Sequence, residues 1–259
     1  MIRIALTGAC GKMGRMISGL IEKKPETRLC AAIESPRHPD AGKEYTDGIT
    51  VVSELPEENP DVVIDFSTAQ ASREFIETCV KRAVPIVVGT TGFPPDFLGT
   101  VREQYAKKIP VLISPNMSLG VNLIFKIAAQ IAASLGMGYD IEIVEKHHRF
   151  KKDAPSGTAL KIAAGIAENT GRTTAESLVF GRKGTDAERT PGEIGVHAVR
   201  AGDIVGEHTV IYSTIGETVE LTHRAHTREN FASGAVEAAC FLAAAPPGFY
   251  SMQDVLKGL

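Results

Sequence analysis

The chain has 259 residues, of which 43% are hydrophobic and 23% are charged, and its formal net charge is −3. This composition is typical of a globular protein that is long enough to bury a sizeable core without disulfide or metal staples. The slightly negative balance provides no broad basic field for nucleic acid or for an anionic membrane surface, so we expect neither partner.

The cysteines indicate a reducing compartment. Their spacings match neither a zinc cluster nor a redox CxxC pair, and they are Cys10, Cys30, Cys79 and Cys240. The N-terminal residues lack the charged head and long apolar run of a signal peptide. The apolar stretch 232–249 is interrupted by Glu237, Pro246 and Pro247, so it does not resemble a membrane span. We therefore expect a cytoplasmic protein with reduced thiols.

The first 115 residues alternate short apolar runs with helical patterns. The apolar runs are continuous, which is typical of parallel strands that are buried on both faces. Alternation of strand and helix predicts a doubly wound α/β domain. The predicted strands are 2–7, 29–34, 49–52, 61–66, 85–88 and 110–114, and the predicted helices are 12–23, 70–82 and 95–107.

The pattern changes after residue 116. It predicts a long apolar helix over 119–135, a strand over 139–147 and a helix over 158–169. Four strands follow, over 178–181, 194–200, 207–214 and 218–224, and their in/out alternation predicts one open antiparallel sheet. The last helix, over 230–244, is expected to return to the first domain.

A glycine-rich turn follows the first strand and opens the first helix. Its spacing is GxxGxxG over Gly8, Gly11 and Gly14, with Cys10 at the position that a third glycine takes in GxGxxG. Such a turn lets the backbone approach a pyrophosphate at the helix N-terminus. Glu34 lies 20 residues after Gly14 and ends the second predicted strand. In dinucleotide-binding domains a carboxylate at this position accepts hydrogen bonds from the adenosine ribose hydroxyls. Two alternatives to a dinucleotide site remain open: the glycines serve only the geometry of the turn, and Glu34 is a solvated residue at a strand end.

Two further loops leave later strands of the same predicted sheet. Residues 89–92 (GTTG) follow one strand and residues 114–117 (SPNM) follow another. Ligands of open α/β sheets bind outside the carboxyl ends of the strands, so both loops are candidates for cofactor contacts. Each is also consistent with a plain connection.

The segment 145–158 (EKHHRFKKDAPSGT) combines two imidazoles and four cations at a strand end, then enters a helix. Ser156 is a predicted N-cap, and the amides of Gly157 and Thr158 then face an anion such as a carboxylate. Lys151 adds an ammonium, and His147 or His148 can supply a proton near neutral pH. The alternatives are a solvated basic face and a metal site, although no third ligand has suitable spacing.

The chain resembles the 4-hydroxy-tetrahydrodipicolinate reductase (dihydrodipicolinate reductase) family. The matching motifs occur in the family's order over nearly the whole chain, and the 141–160 segment is the most specific of them. They are GACGKMGR at 8–15, IDFS at 64–67, VVGTTGF at 87–93, SPNMSLGVN at 114–122, IEIVEKHHRFKKDAPSGTAL at 141–160 and HAVRAGDIVGEHTV at 197–210.

This resemblance implies a fold, an activity and an assembly. It implies a Rossmann-like α/β dinucleotide-binding domain over 1–118 and 228–259. It also implies a second α+β domain over 119–227, built on an open mixed sheet, for substrate binding and oligomerisation. The implied activity is NADH- or NADPH-dependent reduction of a cyclic dicarboxylate to tetrahydrodipicolinate in lysine and diaminopimelate biosynthesis. The implied assembly is a homotetramer.

The resemblance also assigns roles by position. Because the 145–158 segment has no third ligand with suitable spacing, we expect no metal. His147 corresponds to the proton donor and Lys151 to its catalytic partner, while His148, Gly157 and Thr158 correspond to the substrate carboxylate site. The implied cofactor contacts are Gly8, Ala9, Cys10, Gly11, Lys12, Met13, Glu34, Gly89, Thr90, Thr91, Ser114, Pro115, Asn116 and Met117.

The residue after Glu34 departs from the family pattern. Many members have an arginine there that pairs with a 2′-phosphate, whereas this chain has Ser35, and Arg37 comes two residues later. The position therefore favours NADH or use of both cofactors.

Two other functions share this architecture. The first is a different NAD(P)-dependent enzyme, for example an amino-acid or aldehyde dehydrogenase. An aldehyde enzyme requires a nucleophilic cysteine, and none lies in the 147–158 segment. A non-catalytic dinucleotide sensor has no need of the dense proton-donor and carboxylate site in that segment.

Overall fold

The computed structural model of the chain describes residues 1–258. It divides into two compact units, which we call unit 1 (Met1–Leu119 with Glu229–Leu259) and unit 2 (Gly120–Arg228).

Unit 1 is an α/β unit whose strands form an eight-stranded sheet. Its elements are β1 (Ile2–Thr7), α1 (Lys12–Lys23), β2 (Thr27–Ile33), β3 (Glu44–Thr46), β4 (Ile49–Val52), β5 (Val62–Asp65), α2 (Ala69–Arg82), β6 (Ile86–Val88), α3 (Pro95–Thr100), β7 (Pro110–Ile113), α7 (Glu229–Ala243), β13 (Gly248–Tyr250) and α8 (Met252–Gly258). A π-helical turn at Val101–Tyr105 follows α3.

The sheet of unit 1 runs in the order β13-β7-β6-β5-β1-β2-β4-β3. All neighbouring pairs are parallel except β3 with β4. The continuous apolar runs have the expected cause, since hydrophobic clusters cover the sheet on both faces. The chain leaves β1 on one side to β2 and returns on the other side with β5, so the topological switch point lies between β1 and β5.

The packing of helix α1 on the sheet determines where its N-terminus lies, beside this switch point. Ile17 and Ile21 are fully buried against the sheet, while Arg15 and Met16 are exposed. The helix ends at Lys23, two residues before Pro25, which cannot continue it. Its N-terminus follows directly from the turn after β1.

Unit 2 is an α+β unit. Its elements are α4 (Leu119–Leu135), a 3-10 turn (Gly136–Gly138), β8 (Asp140–His147), α5 (Gly157–Asn169), α6 (Thr174–Ser177), β9 (Leu178–Phe180), β10 (Ile194–Arg200), β11 (Gly206–Thr214) and β12 (Glu217–Ala225). Its five-stranded sheet has the order β12-β11-β8-β10-β9.

The expectation of a purely antiparallel sheet in unit 2 is wrong. β10 pairs in parallel with both β8 and β9, whereas β11 pairs antiparallel with β8 and β12, so the sheet is mixed. The reason is the crossover through α5 between β8 and the next strands, since a parallel pair requires such a connection. Alternation of side chains reports one covered face but does not report strand direction.

Helix α4 packs against the covered face of this sheet. By length and composition alone, the stretch Leu119–Gly138 is apolar enough to cross a membrane. In the structure, Ile124, Ala128 and Ala132 belong to the hydrophobic core of unit 2, together with residues of α5 and the sheet. The apolar character of α4 is thus used in packing a core.

Four short elements were not predicted: β3, α6, β13 and α8. β3 (EYT) and β13 (GFY) lack the aliphatic run of the equally short β6 and β9, and α6 has only four residues, little more than one helical turn. The predicted helix over 95–107 is instead α3 followed by the π-helical turn.

Candidate active site

The glycine turn of unit 1 is fixed by packing. Gly8 has φ +69°, and a Cβ there would lie 2.2 Å from the carbonyl oxygen of Phe66. A Cβ on Gly14 would lie 2.3 Å from the carbonyl oxygen of Gly8, whereas the nearest atom to a Cβ on Gly11 is 3.2 Å away. The turn itself therefore requires glycine at positions 8 and 14, in agreement with the alternative that these glycines are structural. Neither glycine identifies a ligand.

The N-terminus of α1 gives a more specific indication. Its N-cap is Gly11, and no side chain accepts a hydrogen bond from its first turn. By contrast, the Thr68 side chain caps α2 and the Ser156 side chain caps α5. A helix start without a side-chain cap leaves backbone N–H groups and a partial positive charge for an anion, so a dinucleotide pyrophosphate fits there.

Glu34 is held beside this turn. Its Oε2 accepts a hydrogen bond from the backbone N–H of Cys10 at 3.3 Å, and its Oε1 accepts one from Ser35 at 3.0 Å. The Tyr45 hydroxyl donates to the Ala9 carbonyl at 2.8 Å. The sequence interpretation missed Tyr45 because it lies on β3, which was itself not predicted.

A cavity of about 500 Å³ opens at the carboxyl ends of β5 and β6. Residues 11–13 of the glycine turn and 89–91 of the loop after β6 line it, so the structure brings two of the predicted cofactor segments together. Residues 66–69 complete the lining, although only their motif was noted from the sequence. Gly89 faces the Phe66 ring, which lies 2.2 Å from where a Cβ would stand.

The third predicted cofactor segment, 114–117, forms its own turn and is not part of that lining. The Ser114 hydroxyl donates to the Asn116 carbonyl at 2.8 Å. Met117 is 2% exposed, and its carbonyl oxygen lies 1.8 Å from where a Cβ on Gly234 of α7 would stand. Ala9 is likewise fully buried, so its contribution to a cofactor site is limited to its backbone.

In unit 2, β8 ends in a buried carboxylate–imidazole pair. Glu145 and His147 lie on the same face of the strand, and Glu145 Oε2 is 2.5 Å from His147 Nδ1. The Glu145 side chain is 0% exposed and that of His147 is 11% exposed. Burial lowers the pKa of His147, although the neighbouring Glu145 partly opposes this effect.

Arg200 and Ser156 complete the surroundings of Glu145. Arg200 donates to both carboxylate oxygens at 2.8 Å, and the backbone N–H of Ser156 donates to Oε1 at 3.0 Å. Burial by itself raises the pKa of Glu145, but hydrogen bonds from Arg200 and His147 outweigh it, so the net change is downward. Glu145 is therefore a paired anion that fixes the His147 ring through Nδ1 and leaves Nε2 for other contacts.

Sequence reasoning missed Glu145 and Arg200 as site residues. The signal for Glu145 was its position two residues before His147 on a strand, which places both side chains on one face. Arg200 is 55 residues away from Glu145 in sequence, and only the parallel pairing of β10 with β8 brings them together.

The remaining predicted substrate residues lie around the start of α5. Gly157 and Thr158 form its first turn behind the Ser156 N-cap. The Lys151 ammonium is 2.8 Å from the Asp153 carboxylate, which is 59% exposed. His148 Nδ1 is buried without a hydrogen-bond partner among residues 1–258. The side chains of His148 and Lys151 and the N-terminus of α5 thus come from the same short segment.

A second histidine packs against the first. The His208 and His147 rings meet edge to face with centroids 5.2 Å apart, and His208 Nε2 is 3.1 Å from the Ser156 hydroxyl. Burial lowers the pKa of His208 to about 4, and the nearby His147 adds to this effect. His208 is therefore neutral at physiological pH and supports both the His147 ring and the α5 cap.

One group within the described part of the chain has side chains arranged as metal ligands. Ligand atoms of Cys10, His38 and Asp40 in unit 1 lie within 4.8 Å of one another. His38 Nδ1 already accepts a hydrogen bond from the Asp40 backbone N–H at 3.1 Å. This group includes none of the residues 145–158.

Comparison with known proteins identifies the family. The family described as "Dihydrodipicolinate reductase, N-terminus" matches residues 2–117, and "Dihydrodipicolinate reductase, C-terminus" matches residues 120–256. The chain belongs to the dihydrodipicolinate reductase family. The resemblance inferred from the motifs is thereby confirmed.

Relatives match nearly the whole length of this dihydrodipicolinate reductase family member. A 4-hydroxy-tetrahydrodipicolinate reductase of Syntrophus aciditrophicus (strain SB) is 46% identical and covers 99% of this chain and 98% of its own length. One from Anaeromyxobacter dehalogenans (strain 2CP-1) is 45% identical with the same coverage. The dipicolinate-bound dihydrodipicolinate reductase from Paenisporosarcina sp. TG-14 is 27% identical, has a TM-score of 0.78 and covers 97% of each chain. The predicted fold class, a Rossmann-like unit with a second mixed-sheet unit, is likewise confirmed.

Proposed function

We propose that this chain is a 4-hydroxy-tetrahydrodipicolinate reductase of lysine and diaminopimelate biosynthesis. The reaction takes the cyclic dicarboxylate, one hydride and one proton, and it releases tetrahydrodipicolinate and water. The observation that carries the proposal is identity of 45–46% over 99% of the chain to enzymes of that name. The chain also has the buried Glu145–His147 pair and the basic 147–158 segment that this chemistry requires.

The substrate carboxylates require positive charge and N–H donors. We assign one carboxylate to the first turn of α5 at Gly157 and Thr158. The Ser156 cap accepts from the Ala159 N–H, and the partial positive charge of the helix N-terminus still favours an anion there. His148 and Lys151 supply further donors, and the Lys151 ammonium exchanges its exposed partner Asp153 for the ligand. An exposed ion pair contributes little free energy, so this exchange costs little.

His147 is assigned the proton. A nicotinamide cofactor supplies the hydride when it is bound. Loss of water from the 4-hydroxy substrate gives a conjugated ring, and addition of a hydride to that ring leaves negative charge on the adjoining enamine system. Because Glu145 holds Nδ1, the nitrogen that acts on this charge is Nε2, and His147 donates its proton from there. The lowered pKa of His147 makes it a stronger acid, and it also reduces the protonated fraction at neutral pH.

A pyridine nucleotide is the cofactor of this family, and the residues of unit 1 fit it. The uncapped N-terminus of α1 receives the pyrophosphate, and Glu34 receives the adenosine ribose hydroxyls. The predicted contacts of the 8–13, 89–91 and 114–117 segments remain proposals. For residues 8, 9 and 117 we expect backbone contacts, because these residues are buried.

We further propose that NADH is used at least as well as NADPH. Glu34 keeps its carboxylate beside the turn, and a 2′-phosphate there meets like charge. Arg15 is 4.2 Å from the centre of the Tyr45 ring and 3.8 Å from Asp40, so its charge is already engaged. Oxidation of NADH and NADPH, followed at 340 nm, measures the preference. A Ser35→Arg variant is expected to gain activity with NADPH relative to NADH.

The substrate assignment is tested with Lys151→Ala and the neighbouring Lys152→Ala as its matched control. Lys152 is exposed and is assigned no ligand contact. We expect Lys151→Ala to lose one to two orders of magnitude in kcat/KM for the cyclic substrate, and Lys152→Ala to stay near wild type. Normal turnover by a folded Lys151→Ala protein contradicts the assignment. The homotetramer and the cytoplasmic location also remain proposals, and light scattering of the purified protein tests the first.

A further inference from the structure

Asp65 is a buried carboxylate that the proposed reaction does not use. It ends β5 and is 0% exposed. Four hydroxyl groups donate to it. Oδ1 accepts from Thr7 and, at 2.6 Å, from Ser67, while Oδ2 accepts from Ser72 and, at 2.7 Å, from Thr90. Two hydrogen bonds at each oxygen occupy the acceptor sites of a carboxylate, so Asp65 is fully satisfied without any ion-pair partner.

The four donors come from four different segments. Thr7 is the last residue of β1, directly before the glycine turn, and Ser67 lies in the connection between β5 and α2. Ser72 lies in the first turn of α2, and Thr90 lies in the loop after β6. The Thr90 hydroxyl also accepts from the Ser67 backbone N–H at 3.0 Å, which ties two of these segments to each other. Asp65 thus connects the carboxyl ends of three adjacent strands.

These segments form the cofactor cavity. Ser67 and Thr90 belong to its lining, and Thr7 immediately precedes Gly8 of the glycine turn. Because the hydroxyl protons of Ser67 and Thr90 are directed to Asp65, they are not available to a phosphate. Phosphate recognition in this cavity therefore falls to the remaining donors of the lining, among them the Lys12 ammonium and backbone N–H groups. The positions of these N–H groups depend on how the segments are spaced.

We propose that Asp65 is a positioning residue for the dinucleotide: it fixes the spacing of the glycine turn, residues 66–69 and residues 89–91, and so determines cofactor affinity without touching the cofactor. The inference rests on the proposed function only in taking NADH as the ligand. An asparagine has nearly the same shape but replaces two acceptor sites with two donors. Two of the four hydroxyl groups then lose their acceptor in a buried site, and the loops must shift to satisfy them.

The first test is direct binding of NADH, measured by the change in its fluorescence without substrate. We expect Asp65→Asn to raise the Kd for NADH at least tenfold. The kcat at saturating NADH and the KM for the cyclic substrate should stay within about twofold of wild type. Asp61→Asn is the matched control, since Asp61 immediately precedes β5, is exposed, and accepts only the Arg3 backbone N–H at 2.7 Å. Its Kd should equal that of wild type.

A second pair of variants keeps the test decisive if Asp65→Asn does not fold. Thr7→Val preserves shape and removes one hydroxyl, whereas Thr7→Ser preserves the hydroxyl. We expect Thr7→Val to raise the Kd for NADH about threefold to tenfold and Thr7→Ser to restore it.

A folded Asp65→Asn protein with the wild-type Kd for NADH overturns the inference. So does a fall in kcat together with a rise in the KM values for both NADH and the cyclic substrate. Equal Kd values for the two Thr7 variants overturn it as well. Failure of the wild-type protein to bind either NADH or NADPH instead refutes the proposed function, and the inference with it. If the wild-type protein binds NADPH alone, the NADH preference is refuted and the same Kd comparisons are made with NADPH.

Discussion

Replacing Glu145 with glutamine tests how the structure prepares His147 for proton transfer. Glu145 Oε2 lies 2.5 Å from His147 Nδ1, and the carboxylate opposes the lowering of the His147 pKa that burial causes. Glutamine keeps the shape and one hydrogen-bond acceptor but removes the negative charge. With burial, Lys151 and Arg200 still acting on the ring, the pKa of His147 must fall further.

The size of this change follows from the charges around Glu145. An opposite charge at such a distance moves a pKa by about 1 to 3. Arg200 already binds both oxygens of Glu145 and neutralises part of its charge, so we expect a decrease of about 1. Since His147 acts as the proton donor, kcat/KM falls as pH rises through its pKa. The alkaline limb of the profile should therefore move about 1 pH unit lower, which is about a tenfold loss above that limb.

The assay is the pH dependence of kcat/KM from NADH oxidation. Glu142→Gln is a matched control because Glu142 lies on the same strand, pairs with Arg182 and is 2.6 Å from His197 Nε2. Its profile should coincide with that of wild type. Stability is measured in parallel, because Arg200 loses its partner in the Glu145 variant. An unshifted limb in a folded Glu145→Gln protein refutes the assigned role.

Three further predictions follow from close contacts and buried groups. Gly206→Ala should lower kcat at least tenfold, because its Cβ would lie 3.1 Å from His147 Nε2; Gly165→Ala, whose nearest neighbour is 3.9 Å away, should not. His208 alone should lower the unfolding free energy by about 2 to 3 kcal/mol as pH drops from 6.5 to 4, because its pKa is about 4 when folded and it binds its proton more tightly when unfolded. Urea titrations of His208→Gln should show a pH dependence weaker than wild type by about this amount. Gly14→Ala should unfold the protein at markedly lower urea than Gly11→Ala, since only Gly14 faces two carbonyl oxygens within 2.4 Å.

The strands and long helices were predictable because each carries a full period of its own pattern. The bounds of β1, α1, α4 and β10 agree with the prediction residue for residue, since each combines a clear apolar pattern with a polar or glycine boundary. β3 (EYT) and β13 (GFY) were missed because they lack the aliphatic run that made the equally short β6 (IVV) and β9 (LVF) predictable. The predicted direction of β10 was wrong, because side chains alternate between the two faces of a sheet in parallel and antiparallel strands alike.

The candidate residues His147, Lys151 and Gly157 came from one contiguous segment, so the sequence alone could group them and, through the family motif, give them roles. The same holds for the glycine turn and Glu34, which one βαβ unit connects. What the sequence could not provide were the partners from distant segments: Arg200 on Glu145, His208 on Ser156, and the hydroxyl groups of Thr7 and Thr90 on Asp65. Local order along a chain determines which chemistry each segment carries. Which buried charges become satisfied depends on strand pairing across the sheets, and only the folded tertiary structure determines that.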